Sequence, residues 1–376
     1  MKQLPILREH FPSVKFVQID DGYQRSIREG AREMIDLIYN DGESFDPVKF
    51  PSGAKGVADK IKAAGFRPAI WLGLWASLDS RMIRENPDWN LLDNTGRPLV
   101  FKKWYGGTCL LDPSVPGVRD YLERLCRVIF REWGYEGVKL DFSSFAFEGK
   151  RVRFRYNDKT AAELERWLVD TFRRHLPTDG FFGWCVVCGS GTPFAGAADY
   201  FRVSEDIGKG EWPVVRRIAA WNANSNILQQ RPDLPNIDSV GVAKGLNAVQ
   251  QQTWLNLCAI TGAALEVSGD LTLHDAATLS RLNQTLQLSD PLRRVRCFDV
   301  PQGTVSHPPA IWLSEGVSGK MLALFNWSDV PVTTQVPTSI IPGDWRDAWT
   351  GKPVVLSSLH LSPHGSALFF AAKEEQ

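Results

Sequence analysis

From its N-terminal region to about residue 285 the chain alternates short apolar runs with stretches of helical periodicity, and this rhythm constrains the fold more than any single residue does. The runs fall at 14–19, 68–75, 137–142, 180–187, 200–204, 239–242 and 263–268, bounded by polar residues, Gly or Pro. Between them, 53–64, 118–132 and 159–176 carry apolar residues at three-to-four spacing, each stretch followed closely by Gly or Pro. Strands that are apolar on both faces, separated by amphipathic helices, are what a parallel sheet covered by helices requires. The predicted class is α/β, a (β/α)8-type TIM barrel over residues 1–288.

After Pro291 the helical period disappears. Short β-like runs at 295–300, 310–313, 321–327, 359–361 and 367–371 are separated by turns such as Ser328-Asp329 and Thr350-Gly351. These predict a C-terminal antiparallel β-sandwich over 289–376.

Several function classes are disfavoured by composition. Lys and Arg together number 43 and so do Asp and Glu, with no charged block, so the footprint of a nucleic-acid or membrane-surface binder is missing. No run approaches the roughly 18 apolar residues of a membrane span, and residues 1–20 show no signal-peptide pattern. The six cysteines are scattered, and the single CxxC, Cys185 with Cys188, has no second pair or nearby His pair beside it. That usage fits a reducing, cytoplasmic setting and disfavours a zinc site.

The chemistry-bearing residues cluster at the C-terminal ends of the predicted strands, the edge on which a (β/α)8 barrel builds its active site. In Gly137-Val-Lys-Leu-Asp141, period two turns Lys139 and Asp141 to one side and Val138 and Leu140 to the other. A carboxylate beside an ammonium stays ionised and is able to attack carbon, although a buried ion pair serving packing has the same pattern. Arg202-Val-Ser-Glu-Asp206 ends a strand in two acids, which serve either as a proton donor to a leaving oxygen or as caps of the next helix. Asp20-Asp21-Gly22 offers paired acceptors for hydroxyl groups or simply a turn. Cys188-Gly189-Ser190 lacks the ending of a phosphate-binding loop and reads as a tight passage out of a strand. Fourteen tryptophans, among them Trp71, Trp75, Trp89, Trp104 and Trp212, include candidate platforms for sugar rings.

Taken together, 17–23, 65–72, 86–89, 111–113, 134–142, 188–190 and 202–206 resemble, in order and spacing, the α-galactosidases of glycoside hydrolase family 36 and, more distantly, family 27. The resemblance covers about residues 4–270. It implies a retaining exo-glycosidase releasing terminal α-D-galactose, with Asp141 as nucleophile and Asp206 as acid/base. It further implies that Asp20 and Asp21 bind the 4- and 6-hydroxyls, and that Lys139 and Arg202 hold ring hydroxyls. Cys188, Gly189 and Ser190 would face the 2-position, and Trp104 would line the sugar. The resemblance implies a small α-galactoside as partner, with no metal and no organic cofactor, and suggests homo-oligomers.

Three departures accompany this pattern. The chain opens on what reads as the helix after the first barrel strand, so one of eight strands is expected to be missing, leaving exposed sheet edges that favour association. Ser204-Glu205 stands where the family often has Gly-Pro, and Asn236-Ile-Asp238 is shorter than the usual Asn-Asp-Pro-Asp. The alternatives are an α-N-acetylgalactosaminidase, a galactosyl transferase of the raffinose-synthase kind, or an inactive, truncated sugar-binding barrel.

Overall fold

The computed structural model describes residues 2–40, 44–103, 107–142, 146–147, 151–185, 196–208, 210–226, 234–242, 244–289, 294–299, 308–316 and 319–372. The chain divides into two compact units, 1–201 and 202–376. Among the described residues, the main sheet has seven strands that neighbour one another in chain order. They are β1 (Phe16–Ile19), β2 (Arg67–Gly73), β3 (Gly137–Asp141), β4 (Phe181–Cys185), β5 (Tyr200–Arg202), β6 (Leu234–Val240) and β7 (Ala264–Val267). The ladders β1–β2, β2–β3, β3–β4, β4–β5 and β6–β7 are parallel. A parallel sheet in sequential order, with helices in its crossovers, is the TIM-barrel architecture read from the sequence.

In the first unit the two faces of the strands are chemically distinct. Ile70 and Leu72 of β2, Val138 and Leu140 of β3, and Phe182 and Trp184 of β4 are buried in one core with the helix residues Ala58, Leu122, Leu125, Leu168 and Phe172. The opposite face carries Trp71, Gly73, Lys139, Asp141, Gly183 and Cys185, which the register aligns across the three strands. Two of these positions are glycine because large rings occupy the space above them. A Cβ on Gly183 would stand 2.5 Å from Tyr200 Cζ, and one on Gly73 would stand 2.1 Å from Trp75 Nε1.

The covering helices are cut by the expected local chemistry. Ala161–His175 starts at a capping box, in which the Thr160 hydroxyl accepts from the Glu163 amide while the Glu163 carboxylate accepts from the Thr160 amide. Pro116–Arg127 begins on proline and runs into a single π turn, Val128–Glu132, so the helix predicted at 118–132 is present but changes hydrogen-bond pattern.

In the second unit, Asn247 and Gln250 form another capping box at the head of Ala248–Ile260. The strands Arg294–Cys297, Ile311–Gly316, Gly319–Phe325, Ser366–Ala372 and Arg346–Asp347 form one antiparallel sheet, in that spatial order. Leu313, Leu322, Leu324, Trp345 and Phe369 form its core, and Val332–Gln335 pairs with Ser358–Leu361 in a second, small sheet. The antiparallel β region expected at the C-terminus is thus present. No helix among the described residues is long and apolar enough to cross a membrane.

Candidate active site

Within the first unit the strand ends gather a carboxylate site. Asp141 is the last residue of β3, and its carboxylate is fixed from more than one side. Trp71 Nε1, two strand residues back from Gly73, donates to Oδ2 at 3.1 Å, and the amide of Phe142 donates to Oδ1 at 2.7 Å. Phe142 itself adopts φ 56°, a left-handed conformation that costs a bulky residue of order 1 kcal/mol or more. The Phe142 ring compensates by packing against Trp75, Trp71 and Phe101. Burial raises the Asp141 pKa above the ordinary carboxylate value, while the Trp71 hydrogen bond, the Lys139 charge and further donors pull it back down.

The ammonium of Lys139, which the alternation places on the same face as Asp141, reaches across to the end of β1. It lies 3.4 Å from Asp20 Oδ2, with the lysine side chain 8% exposed and that of Asp20 53% exposed. The lysine thus links the ends of β1 and β3, and its charge also acts on Asp141. Asp20 Oδ2 also accepts from Gln18 Nε2 at 2.6 Å, and Oδ1 accepts from the Asp21 amide at 2.8 Å. The Asp21 carboxylate accepts from the Gly22 amide at 2.8 Å, so the turn reading of Asp20-Asp21-Gly22 is correct as geometry. It also leaves two oriented carboxylates, each with further lone pairs for hydroxyl groups. Gln18 was not singled out from the sequence; its spacing of two from Asp20 along the strand was the available signal.

The tryptophans divide by environment. Trp71 and Trp75 are 3% and 1% exposed, so they act as walls and, for Trp71, as a donor to Asp141, and not as open platforms. Trp89 lies against Tyr39 and Tyr121, and Trp212 stacks with Trp327 and His364 in the second unit. Trp104, Cys188, Gly189 and Ser190 lie outside the described residues.

In the second unit Arg202 is the hub. Only 1% of its side chain is exposed, and each nitrogen of the guanidinium has a partner: Nε donates to Asn236 Oδ1 at 2.6 Å, Nη1 to Asp206 Oδ1 at 2.6 Å and Nη2 to Asp238 Oδ1 at 3.0 Å. Asp206 itself is open, with 78% of its side chain exposed. Glu205 forms a two-pronged pair with Arg217 and is thereby engaged on the surface. Neither acid caps a helix, since the next one, Trp212–Asn226, begins six residues beyond Asp206. Asp238 has φ 85° and accepts from the Ile207 amide at 2.7 Å through Oδ2, tying the loop that carries Asp206 to β6. Burial raises the Asp238 pKa and the Arg202 charge opposes the rise, with Asp206 adding to it. The shortened Asn236-Ile-Asp238 motif thus supplies two anchors of Arg202.

Among the described residues no group of three or more His, Cys, Asp or Glu could hold a metal ion.

No protein-family model matches the chain. A curated protein, the A type blood α-D-galactosamine galactosaminidase of Flavonifractor plautii, is 25% identical over 145 residues, covering 34% of this chain and 12% of that protein. Among solved structures, a family 27 β-L-arabinopyranosidase from Geobacillus stearothermophilus superposes with a TM-score of 0.74 at 18% identity, over 99% of this chain and 91% of that one. The α-galactosidase I of Mortierella vinacea gives 0.63 at 15% identity over 96% and 89%. A family 36 α-galactosidase from Geobacillus stearothermophilus, crystallised with raffinose, gives 0.69 at 14% over 99% and 53%. The chain has the fold of the family 27 and family 36 glycoside hydrolases, as its motifs led one to expect.

Proposed function

We propose that this chain is a retaining exo-glycosidase acting on terminal α-D-galactosides, with Asp141 as nucleophile and Asp206 as acid/base. The observation that carries the reading is the Asp141 carboxylate, held at a strand end by Trp71 Nε1 and the Phe142 amide with the Lys139 charge nearby. Three donors or charges around one carboxylate restrict its rotation and favour the ionised form needed for attack. In the first step an Asp141 oxygen bonds to the anomeric carbon as the glycosidic bond breaks, and Asp206 gives its proton to the departing oxygen. In the second, Asp206 takes a proton from water, which displaces Asp141. Asp20 and Asp21 accept from sugar hydroxyls, with Lys139 and Gln18 holding Asp20 in place. Arg202, fixed by Asn236 and Asp238, orients Asp206.

The assay is hydrolysis of p-nitrophenyl α-D-galactopyranoside, with the anomer of the released sugar read by proton NMR. The α-anomer appears first, and Asp141→Ala and Asp206→Ala lose turnover while remaining folded. A β-anomer as first product, or full activity in Asp141→Ala, refutes the reading. The similarity to the Flavonifractor plautii galactosaminidase supports a second substrate, a terminal α-galactosaminide. Comparing kcat/KM for aryl galactosides carrying 2-hydroxy, 2-amino and 2-acetamido groups decides between them.

A further inference from the structure

We propose that Cys185 is a positioning residue for the nucleophile, its thiol donating a hydrogen bond that holds the Asp141 carboxylate in its attacking orientation. This rests on the glycosidase reading above, but it concerns a residue to which neither the motifs nor the comparisons assign a role.

The parallel register sets Cys185, the last residue of β4, directly beside Asp141, the last residue of β3. Side chains paired in register on adjacent strands share a face, so the thiol and the carboxylate point the same way. Cys185 is 4% exposed, and its side chain is among the influences that draw the Asp141 pKa down. The carboxylate takes donors from Trp71 of β2 and from the Phe142 backbone after β3, and the register sets the Cys185 thiol beside it from β4. The Trp71 and Phe142 contacts fall on different oxygens, so each resists rotation of the carboxylate, and a donor from β4 closes the side facing the next strand. A thiol is a weak donor to a neutral acceptor, but a charged acceptor in an enclosed site strengthens the contact. Gly183, two residues earlier on the same face, gives its space to the Tyr200 ring, so Cys185 is the β4 side chain left to meet Asp141.

The test compares Cys185→Ala with Cys185→Ser in the full chain. Removing the donor raises the pH at which Asp141 ionises, so the acidic limb of kcat/KM for p-nitrophenyl α-D-galactopyranoside moves up by about one pH unit in Cys185→Ala. Below the limb that is about a tenfold loss, with KM nearly unchanged. Serine keeps a donor and brings the limb back toward the wild-type position. A wild-type limb in Cys185→Ala, or a limb that serine does not restore, overturns the proposal. A carbon-13 NMR titration of the Asp141 carboxyl, assigned by its loss in Asp141→Asn, reads the same contact without substrate. Its midpoint rises in Cys185→Ala and returns in Cys185→Ser; an unchanged midpoint overturns the proposal. Absence of hydrolysis in the wild-type chain counts against the glycosidase reading, while the NMR titration still decides the role of Cys185.

Discussion

Replacing Asp36 by Asn should make the protein more stable, and increasingly so as the pH rises. Asp36 is fully buried; its Oδ1 accepts from the Met34 amide at 2.6 Å, and its Oδ2 has no hydrogen-bond partner among the described residues. Burial lifts its pKa to about 7; the Met34 amide and Arg25 oppose the rise and Glu33 adds to it. In the unfolded chain the same carboxyl titrates near ~3.9. A carboxyl with a raised folded pKa binds its proton more tightly in the native state, so stability is highest below the unfolded value. It is lost as pH rises between about 4 and about 7, and changes little beyond. Three units at ~1.4 kcal/mol each come to about 4 kcal/mol over the whole window, of which roughly 2–3 kcal/mol falls between pH 5 and pH 8. Asparagine has the same shape, keeps the acceptor for Met34 and does not titrate. Urea unfolding followed by tryptophan fluorescence at pH 5, 6, 7 and 8 should therefore show the advantage of Asp36→Asn growing by about 2–3 kcal/mol across the series. A difference that is flat with pH, or that favours the wild type at pH 8, would show that Asp36 is not held protonated by its surroundings.

Other perturbations read the site directly. Trp71→Phe removes a donor to Asp141 Oδ2, so the acidic limb of the kcat/KM profile moves further up from the ordinary carboxylate range; an unmoved limb contradicts the assignment of that contact. Glu205→Gln leaves kcat within about twofold, because Glu205 is engaged by Arg217, whereas Asp206→Asn lowers it by about 100-fold or more on aryl substrates with poor leaving groups. Equal losses in the two variants would reverse the choice of acid. Gly183→Ala drives a methyl into the Tyr200 ring and lowers stability by about 1–3 kcal/mol in thermal unfolding. A variant as stable as the wild type would mean that Tyr200 moves aside without cost.

Much of this molecule was legible in its sequence, because backbone pattern and burial are local properties. The apolar runs at 68–75, 137–142 and 180–187 became β2, β3 and β4, and the amphipathic stretches became their covering helices, since period and punctuation report which face is buried. The same alternation placed Lys139 and Asp141 on one face without reference to any neighbour. Partnership, by contrast, is decided in three dimensions. Lys139 pairs with Asp20 because β1 lies two strands away in the same sheet, and Asp141 takes a donor from Trp71 and has Cys185 beside it because register aligns the ends of three strands. The short Asn236-Ile-Asp238 looked like an eroded motif. Folding turns it into the support of Arg202, because β6 runs beside the residues following β5 and offers its polar groups to a guanidinium with 1% exposure. The residue types set out the carboxylates and donors in advance, while their partnerships depend on strand register and enclosure, which no separation along the chain encodes.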